Sequence, residues 1–441
     1  MQRAVFSSRN GYKYYILYYI ILLVLLLSRQ DMVSSPSVIY RFAFLAMLFL
    51  PLFKSNLSFA FPMVLVTFFT CGVNGMGFSY MPYSLEFYVI VTLVFSFLKI
   101  GRRKVHMKGY GALLGLFFLM TFVDFATTGH LEHTHSAMLI ILLFPLFLSN
   151  DVMLDSKLMG VSFILISLGL SLQFLFSGNQ FMTEIKSQGG TIAQTTGWTD
   201  PNYFASIIGM GALVSIINLL KLSYNKRLLI LVSVITALTS LVSMFMLASR
   251  GAILSLVVAV CVAILFMNTS KWYKFVTLFV IITFVLYCFN NSYFEYLAYR
   301  MESSDVTGSG RTIIWANKFE HFINDPNPFR YLIGVGAETG FLYNPGLSQY
   351  LGGSGFHNQY VAFLVCYGVL GFVLLIVFLL KPVLTLRKDY IIDVMVYLLY
   401  ILVCMLTLEP LTLGYLVFWA YIYFVFLKVR EYNFLSKKCY V

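Results

Sequence analysis

The chain has 441 residues, of which 60% are hydrophobic and only 11% charged, and its mean hydropathy is +0.84. A soluble domain of this size is excluded, because its surface would have to be built from the same apolar residues. The net charge of +12 would suit a nucleic-acid-binding protein, but the positions of the basic residues along the chain argue against that function.

Apolar runs recur from one end of the chain to the other. Each is long enough to cross the hydrocarbon core of a bilayer as a helix, which takes about 20 residues. The alternating ten-residue segments of a barrel are absent, so helices are predicted. We predict an all-α, polytopic membrane protein with about fourteen (twelve to fourteen) spans. The predicted spans are 12–28, 38–54, 57–77, 84–100, 109–128, 136–149, 157–177, 202–221, 227–247, 251–268, 272–290, 357–380, 390–408 and 411–428.

The basic residues favour one side of the membrane. With the N-terminus (Arg3, Arg9, Lys13) in the cytoplasm and the spans alternating, the inner side collects 22 of the 30 Lys and Arg but only 5 of the 18 carboxylates. The inner side then carries +17 and the outer side −5, as the positive-inside rule requires. Both termini are predicted to be cytoplasmic, and the first span is a retained anchor because no cleavage site follows it.

Two polar segments on the predicted outer side divide the chain. They are 178–201 and 291–356, and the second is a 66-residue loop of a length that usually has a function. We predict an N-terminal transmembrane scaffold at 1–180 and a candidate catalytic region, including the long loop, at 181–380. The C-terminal helices and a cytoplasmic tail occupy 381–441.

The middle of the long loop has the apolar period of a helix. This helix is predicted to start near Arg311 and to end before Asp325 and Pro326. Its apolar face is predicted to consist of Ile314, Trp315, Phe319 and Phe322.

His357 begins the span that follows the long loop, in "GSGFHNQYVAF". One interpretation is an interfacial histidine, with Asn358 starting the helix, and the local sequence alone favours it. The other is a general base, since neutral imidazole is the commonest group that takes a hydroxyl proton near pH 7.

Arg250 lies in "FMLASRGAIL", a tight turn between two apolar spans. An arginine at membrane depth costs about 2.5–3.5 kcal/mol even on the most lenient scale, so it needs a partner or a cavity. It either extends to the interface or binds a phosphate through its planar guanidinium.

Arg311, in "GSGRTIIW", falls in the first turn of the predicted loop helix. A loop arginine is usually solvated, but the glycines beside it would let a phosphate approach the backbone amides. "TDPNYFASIIG" predicts another helix start, with Asp200 as cap and Pro201 at the first position, and simple capping explains it. Secondary site candidates are Asp200, Asn202, Arg300, Arg330, Glu338 and Asn358.

No metal or cofactor is predicted. His130, His133 and His135 in "GHLEHTHS" are a weak metal pattern and fit a solvated turn better. Walker and GxSxG motifs are missing, and the cysteine spacing suggests neither a disulfide framework nor a metal site.

Together, these stretches resemble the O-antigen ligase and polymerase family of bacterial envelope glycosyltransferases. The resemblance covers about 190–380 and consists of "TGWTDPNYFA", an R-x-x-x-L from Arg250 to Leu254, "GSGRTIIW", and an H-x10-G from His357 to Gly368. It implies a C-type glycosyltransferase fold that uses a polyprenyl-pyrophosphate-linked glycan at the outer face of the bacterial cytoplasmic membrane.

The resemblance also implies roles for individual residues. His357 resembles the histidine that orients and deprotonates the acceptor hydroxyl, and Arg250 and Arg311 resemble the arginines that hold the pyrophosphate. Elementary chemistry agrees, because pyrophosphate is a good leaving group and the protein need mainly neutralise its charge and place the acceptor in line. Arginines can do this without a metal, and a single displacement would invert the anomeric centre.

Three functions remain open. A polymerase would join lipid-linked repeat units into O-antigen, capsule or exopolysaccharide, and the fourteen predicted spans favour it over the ligases, which usually have twelve. A ligase or protein O-oligosaccharyltransferase would use a finished lipid or protein acceptor. A glycolipid flippase would not explain a long outer loop that ends in a histidine. The predicted partners are the lipid-linked donor, a glycan acceptor, membrane lipids and, for a polymerase, a chain-length regulator, but no nucleic acid.

Overall fold

A computed structural model of the chain describes residues 111–129, 156–187, 201–222, 227–290, 311–337, 340, 356–408, 411 and 416–438. Every regular element within these residues is a helix, in agreement with the predicted all-α class. The described helices are α1 (Gly111–Thr128), α2 (Ser156–Ser187), α3 (Pro201–Lys221), α4 (Arg227–Met246), α5 (Arg250–Phe266), α6 (Lys271–Asn290), α7 (Arg311–Ile323), α8 (Pro328–Ile333), α9 (Gln359–Leu384), α10 (Lys388–Cys404) and α11 (Leu416–Lys438).

The described helices support a membrane protein. Among them α1, the Asn202–Lys221 part of α3, α4 and α9 are long and apolar enough to cross a bilayer. Nine of the fourteen predicted spans fall on described helices, and the number of spans stays a prediction. The predicted spans 12–28, 38–54, 57–77, 84–100 and 136–149 lie outside the described residues.

Some helix ends differ from the sequence prediction. Helix α2 continues to Ser187, so the first part of the predicted polar segment 178–201 is helical, and α10 ends at Cys404, earlier than expected. Helix α11 begins at Leu416 and continues to Lys438 through most of the predicted tail. The ends of α2 and α11 lie further on than predicted because hydropathy reports where a helix is apolar, whereas a helix continues into polar sequence where nothing interrupts it.

Helix α3 lies at the centre of the described helices, and 94% of the residues in its apolar stretch are buried. It packs against α2, α4 and α5. The Ser167 hydroxyl on α2 lies 2.6 Å from the Ile208 carbonyl oxygen on α3 and 2.8 Å from the Ser240 hydroxyl on α4. Small side chains and interhelical hydrogen bonds of this kind hold membrane helices together, because lipid removes the hydrophobic drive for their association.

One end of this bundle is rich in ion pairs. Lys221, the last residue of α3, pairs with Asp393 near the start of α10. On α11, Glu431 accepts hydrogen bonds from Lys428 at 3.0 Å and from Ser156 of α2 at 2.5 Å. The first residues of α3, α5 and α9 lie at the opposite end of the same helices, where the candidate site is found.

Helix α9 is interrupted at Gly368, the last residue of the H-x10-G pattern. Its φ of +66° is a conformation that glycine adopts without steric cost. Next to the interruption, the Val365 and Cys366 carbonyls accept hydrogen bonds from the amides of Val335 (3.1 Å) and Gly336 (2.9 Å). The segment after α8 is thereby bound to α9 well beyond the first turn of that helix.

Asp124 on α1 holds the same segment from the other side. Its buried carboxylate accepts a hydrogen bond from the Ala337 amide at 2.7 Å and another from the Tyr367 hydroxyl at 3.3 Å. A carboxylate within an apolar helix is expensive and is usually retained for a role. This role could not be predicted from the sequence, because a single Asp in an apolar run forms no motif.

The predicted loop helix is confirmed as α7, which ends before Asp325. One residue of its predicted apolar face, Phe319, is 43% exposed. The residues of α7 that are buried instead follow each other at intervals of four: Ile314, Lys318 and Phe322.

Lys318 lies in the buried row of α7 although lysine is among the most polar side chains. Its side chain is 1% exposed, and its Nζ lies 3.8 Å from the centroid of the Phe356 ring and 3.1 Å from the Gly340 carbonyl oxygen. A cation over an aromatic face with a carbonyl acceptor keeps much of the stabilisation that water would give it. Trp315 on the same helix donates to the Phe356 carbonyl at 2.6 Å. Helix α7 is therefore held directly against the residue that precedes His357.

Candidate functional site

The beginnings of α5, α7 and α9 contact the turn that follows α10, residues 405–408, which we call the α10 turn. The beginning of α3 joins them through the hydrogen bond from Ser249, just before α5, to Asn202. The beginning of a helix presents backbone N–H groups without helical partners and the positive end of the helix dipole. Such ends favour anions, and phosphate groups above all.

Arg250 is the first residue of α5 and is half-buried. The preceding Ser249 is the N-cap residue of α5, but its side chain forms no hydrogen bond to the amides of this helix. Its hydroxyl donates instead to the Asn202 side-chain oxygen on α3, at 3.1 Å. The following Gly251 packs so closely against Thr407 that a Cβ at this position would overlap the threonine side chain. These contacts fix the start of α5 between α3 and the α10 turn.

Arg311 is the first residue of α7 and is half-buried. Its guanidinium Nη1 donates to the Thr407 carbonyl oxygen at 3.2 Å. Thr407 thus contacts the start of α5 through its side chain and the start of α7 through its carbonyl. Thr407 is therefore in contact with Arg311 itself and with Gly251, the residue that follows Arg250, although these positions are far apart in sequence.

His357 lies just before α9 and is half-buried. Its φ of +50° places it in the left-handed region, which side-chain-bearing residues rarely adopt and where His, Asn and Asp are relatively enriched. Strained backbone of this kind concentrates at functional sites. Asn358 is the helix cap, and its side-chain oxygen accepts from the amides of Tyr360 (3.0 Å) and Val361 (3.2 Å).

Gln359 connects His357 to the α10 turn, a contact that the sequence did not reveal. Its amide donates to the Met405 carbonyl at 2.8 Å, and its fully buried side-chain oxygen accepts from the Leu411 amide at 2.6 Å. Nearby, the Tyr360 hydroxyl donates to the Leu402 carbonyl at 2.8 Å. The start of α9 is thereby fixed to the same turn that binds Arg311.

The secondary candidates separate into three groups. Asn202 lies at the site, where it accepts the hydrogen bond from Ser249, and the Asn358 side chain caps α9. Arg330 lies on α8 and forms an ion pair with Asp325, with Nη1 2.7 Å from Oδ2. Asp200, Arg300 and Glu338 lie outside the described residues, as do the three histidines of "GHLEHTHS".

The Asp325 carboxylate is ionised at neutral pH. Burial alone would raise the pKa of Asp325, but hydrogen bonds from the Arg330 guanidinium and the Asn327 amide outweigh it and lower the pKa below its usual value. Arg330 therefore has a carboxylate partner within the loop.

Comparison with known families identifies the central part of the chain. Residues 235–376 match the family model Wzy_C, described as O-antigen ligase. An O-antigen ligase domain is found there. It contains Arg250, Arg311 and His357, whereas Asn202 and the α10 turn lie outside it. No curated protein shows a significant match to the chain.

The match confirms the predicted family resemblance over this region, which supports a membrane glycosyltransferase of the O-antigen ligase or polymerase type. In the O-antigen ligase domain, the arrangement has two chemical parts. The starts of α5 and α7 provide guanidinium groups and helix N-termini for an anion, and the start of α9 provides an imidazole. The α10 turn, from outside the domain, holds these parts together.

Proposed function

We propose that the protein is a polysaccharide polymerase. It joins polyprenyl-pyrophosphate-linked oligosaccharide repeat units into O-antigen, capsule or exopolysaccharide at the outer face of the bacterial cytoplasmic membrane. The observation that supports the proposal is that the helix starts carrying Arg250, Arg311 and His357 contact the α10 turn through Gly251, Arg311 and Gln359, beside a match to an O-antigen ligase domain.

In the proposed reaction, His357 takes the proton of the acceptor hydroxyl, and the hydroxyl oxygen attacks the anomeric carbon of the donor glycan. The bond between this carbon and the pyrophosphate oxygen breaks, and the anomeric centre inverts. Arg250 and Arg311 bind the pyrophosphate and neutralise the negative charge that grows on it, which is the main contribution a protein can make to such a leaving group. Fixing both substrates around one turn also removes much of the entropic barrier.

The polymerase is preferred over the ligase because the sequence predicts fourteen spans rather than twelve. The description of the matching model favours the ligase as the second candidate. The two differ only in the acceptor, which is a second lipid-linked repeat unit for a polymerase and a finished lipid or protein for a ligase.

The purified full-length protein, reconstituted in vesicles and given only lipid-linked repeat units, is expected to yield a ladder of products spaced by one unit and to release polyprenyl pyrophosphate. Gel electrophoresis and mass spectrometry of the products measure this. Transfer that occurs only when a lipid core or a protein acceptor is added would make the protein a ligase. Repeat units that cross the vesicle membrane without any new bond would make it a flippase.

The proposed location of the site requires that both termini are cytoplasmic and that 291–356 lie outside. The motivation is the charge of +17 on the inner side against −5 on the outer side. In a cysteine-free background, a cysteine at 309 is expected to react with an impermeant maleimide in whole cells, and a cysteine at 104 only after lysis. The reverse labelling pattern would overturn this topology.

A further inference from the structure

Helix α7 presents three different faces to three different environments. The first is the buried row that contains Lys318. The residues next to it around the helix are exposed but apolar, namely Phe319 (43% exposed) and Ile323 (49%). The remaining exposed positions are mostly polar or small, namely Thr312, Ala316 and Glu320, with the exposed Ile313 (47%) beside Glu320. Several large apolar side chains on the exposed side of a helix are typical of helices that lie in a membrane interface.

Helix α8 follows α7 after a short turn and also exposes large apolar side chains. Its Phe329 is 70% exposed and its Leu332 is 52% exposed, and residues three apart lie on the same helix face. The two helices form a fixed hairpin, because the Phe322 and Tyr331 rings pack edge to face at 5.5 Å and the Tyr331 hydroxyl donates to the Asp325 carbonyl at 3.1 Å. We call α7 and α8 the loop hairpin.

The apolar face of α8 adjoins the lipid-facing surface of a membrane helix. Gly368 of α9 lies so close to the Leu332 backbone that a Cβ would overlap it. The residues that follow on α9, Val369 (48% exposed) and Val373 (47%), are exposed in the middle of an apolar 26-residue helix. The exposed side chains of α8 therefore extend a surface that already faces acyl chains.

The position of this contact along α9 gives its depth. The segment from Gly368 to Lys381 rises roughly 20 Å at about 1.5 Å per residue. If Lys381, near the other end of α9, marks the opposite boundary of the hydrocarbon core, Gly368 lies about 10 Å inside a core of about 30 Å. Leu332 lies at that depth.

The backbone amides of the segment that follows α8 all form hydrogen bonds within the protein, as a segment inside the membrane requires. The four consecutive amides from Gly334 to Ala337 all donate to protein acceptors, which are the carbonyls of Arg330, Val365 and Cys366 and the carboxylate of Asp124. Irregular backbone is tolerated at this depth only when its polar groups are satisfied by protein. In the turn between α7 and α8, the Asp325–Arg330 pair leaves no uncompensated charge.

We propose that the loop hairpin is embedded in the lipid leaflet on the side of the candidate site, with Phe329 and Leu332 among the acyl chains. The partner of this surface is the bilayer itself. Phe319 and Ile323 face the headgroup region, and the row of Glu320 faces water. The hairpin thereby fixes Phe356, through Lys318 and Trp315, at the membrane surface beside His357. This inference does not depend on the reaction that the site catalyses.

The test uses the full-length protein with a fluorescent noncanonical amino acid at position 329 or 332, reconstituted in phosphatidylcholine vesicles. Lipids brominated along the acyl chain quench fluorophores in the hydrocarbon core, and iodide quenches those in water. Position 329 is expected to be quenched by brominated lipid about as strongly as position 373 on α9, and several-fold more strongly than position 320. Position 320, on the polar row of α7, is the matched control and should respond to iodide.

Quenching of positions 329 and 332 by iodide, at the level of position 320, would overturn the proposal and place the hairpin in water. Protection from both quenchers would also overturn it, because another protein surface, such as a second copy of the chain, would then cover the hairpin. Correct folding of each labelled protein is checked by its melting temperature, so that a misfolded variant is not counted as either result.

Discussion

Replacement of His357 by alanine is expected to lower the turnover of lipid-linked substrate about 10²–10⁴-fold, the usual cost of losing a general base. The protein should still insert into the membrane, because the contacts that fix this region are made by Gln359, Asn358 and Phe356. Turnover of the purified variant, measured at saturating donor and acceptor, is the readout. Near wild-type turnover would leave His357 as an interfacial residue and remove it from the mechanism.

The backbone at His357 requires a second pair of variants. At a φ of +50°, alanine is strained, so a loss of activity in His357→Ala could arise from a distorted start of α9. Glycine and asparagine tolerate this conformation, and neither can act as a base at neutral pH. His357→Gly and His357→Asn are therefore expected to lose as much activity as His357→Ala while keeping the wild-type melting temperature. Recovery of activity in either variant would show that the position matters for its conformation alone.

The sequence located the starts of the site helices well, because these starts have local signals. "TDPN", "SRGA", "GSGR" and "FHNQ" combine cap residues, glycine and proline with the beginning of an apolar run, and such signals act within one turn of helix. In the structure, Arg250 and Arg311 are the first residues of their helices, and His357 lies just before α9, close to the predicted helix starts. What each helix start contacts could not be derived in this way.

The contacts that assemble the site join residues far apart in sequence. Thr407 binds Arg311 and packs on Gly251, and Gln359 binds Met405 and Leu411. None of these partners belongs to a motif, and Thr407 was predicted to lie within a membrane span. Long-range pairing depends on how the helices pack, which the apolar period of a single helix does not encode.

The two buried charges show a different limit of sequence reasoning. The apolar period placed Phe319 on the apolar face of α7, yet this phenylalanine is exposed, whereas Lys318 is buried against the Phe356 ring. Asp124, in an apolar helix, binds the backbone of the long loop. In both cases a specific partner outweighs the average cost of burying a charge, and in a membrane protein the exposed side of a helix need not be polar.

Replacement of Arg250 by lysine is expected to lower kcat/KM for the lipid-pyrophosphate donor about 10- to 100-fold, the equivalent of one charge-assisted hydrogen bond. An arginine that serves only as a charge near the interface could be replaced by lysine, whose flexible stem and ammonium supply the same charge. A pyrophosphate site needs the planar fork of the guanidinium, which lysine does not reproduce.

The matched control is Arg387→Lys, at the opposite end of the bundle, where Arg387 pairs with Asp389 at 3.3 Å and is 45% exposed. It should leave kcat/KM unchanged. Expression and melting temperature of Arg250→Lys should also be unchanged, because Ser249 and Gly251 make their contacts to Asn202 and Thr407 without the guanidinium. If the affinity of Arg250→Lys for the donor, measured by equilibrium binding, and its turnover both equal those of the wild type, Arg250 does not bind pyrophosphate. Arg311, which already contacts the α10 turn through its guanidinium, would then carry that role alone, and Arg311→Lys should show the larger loss.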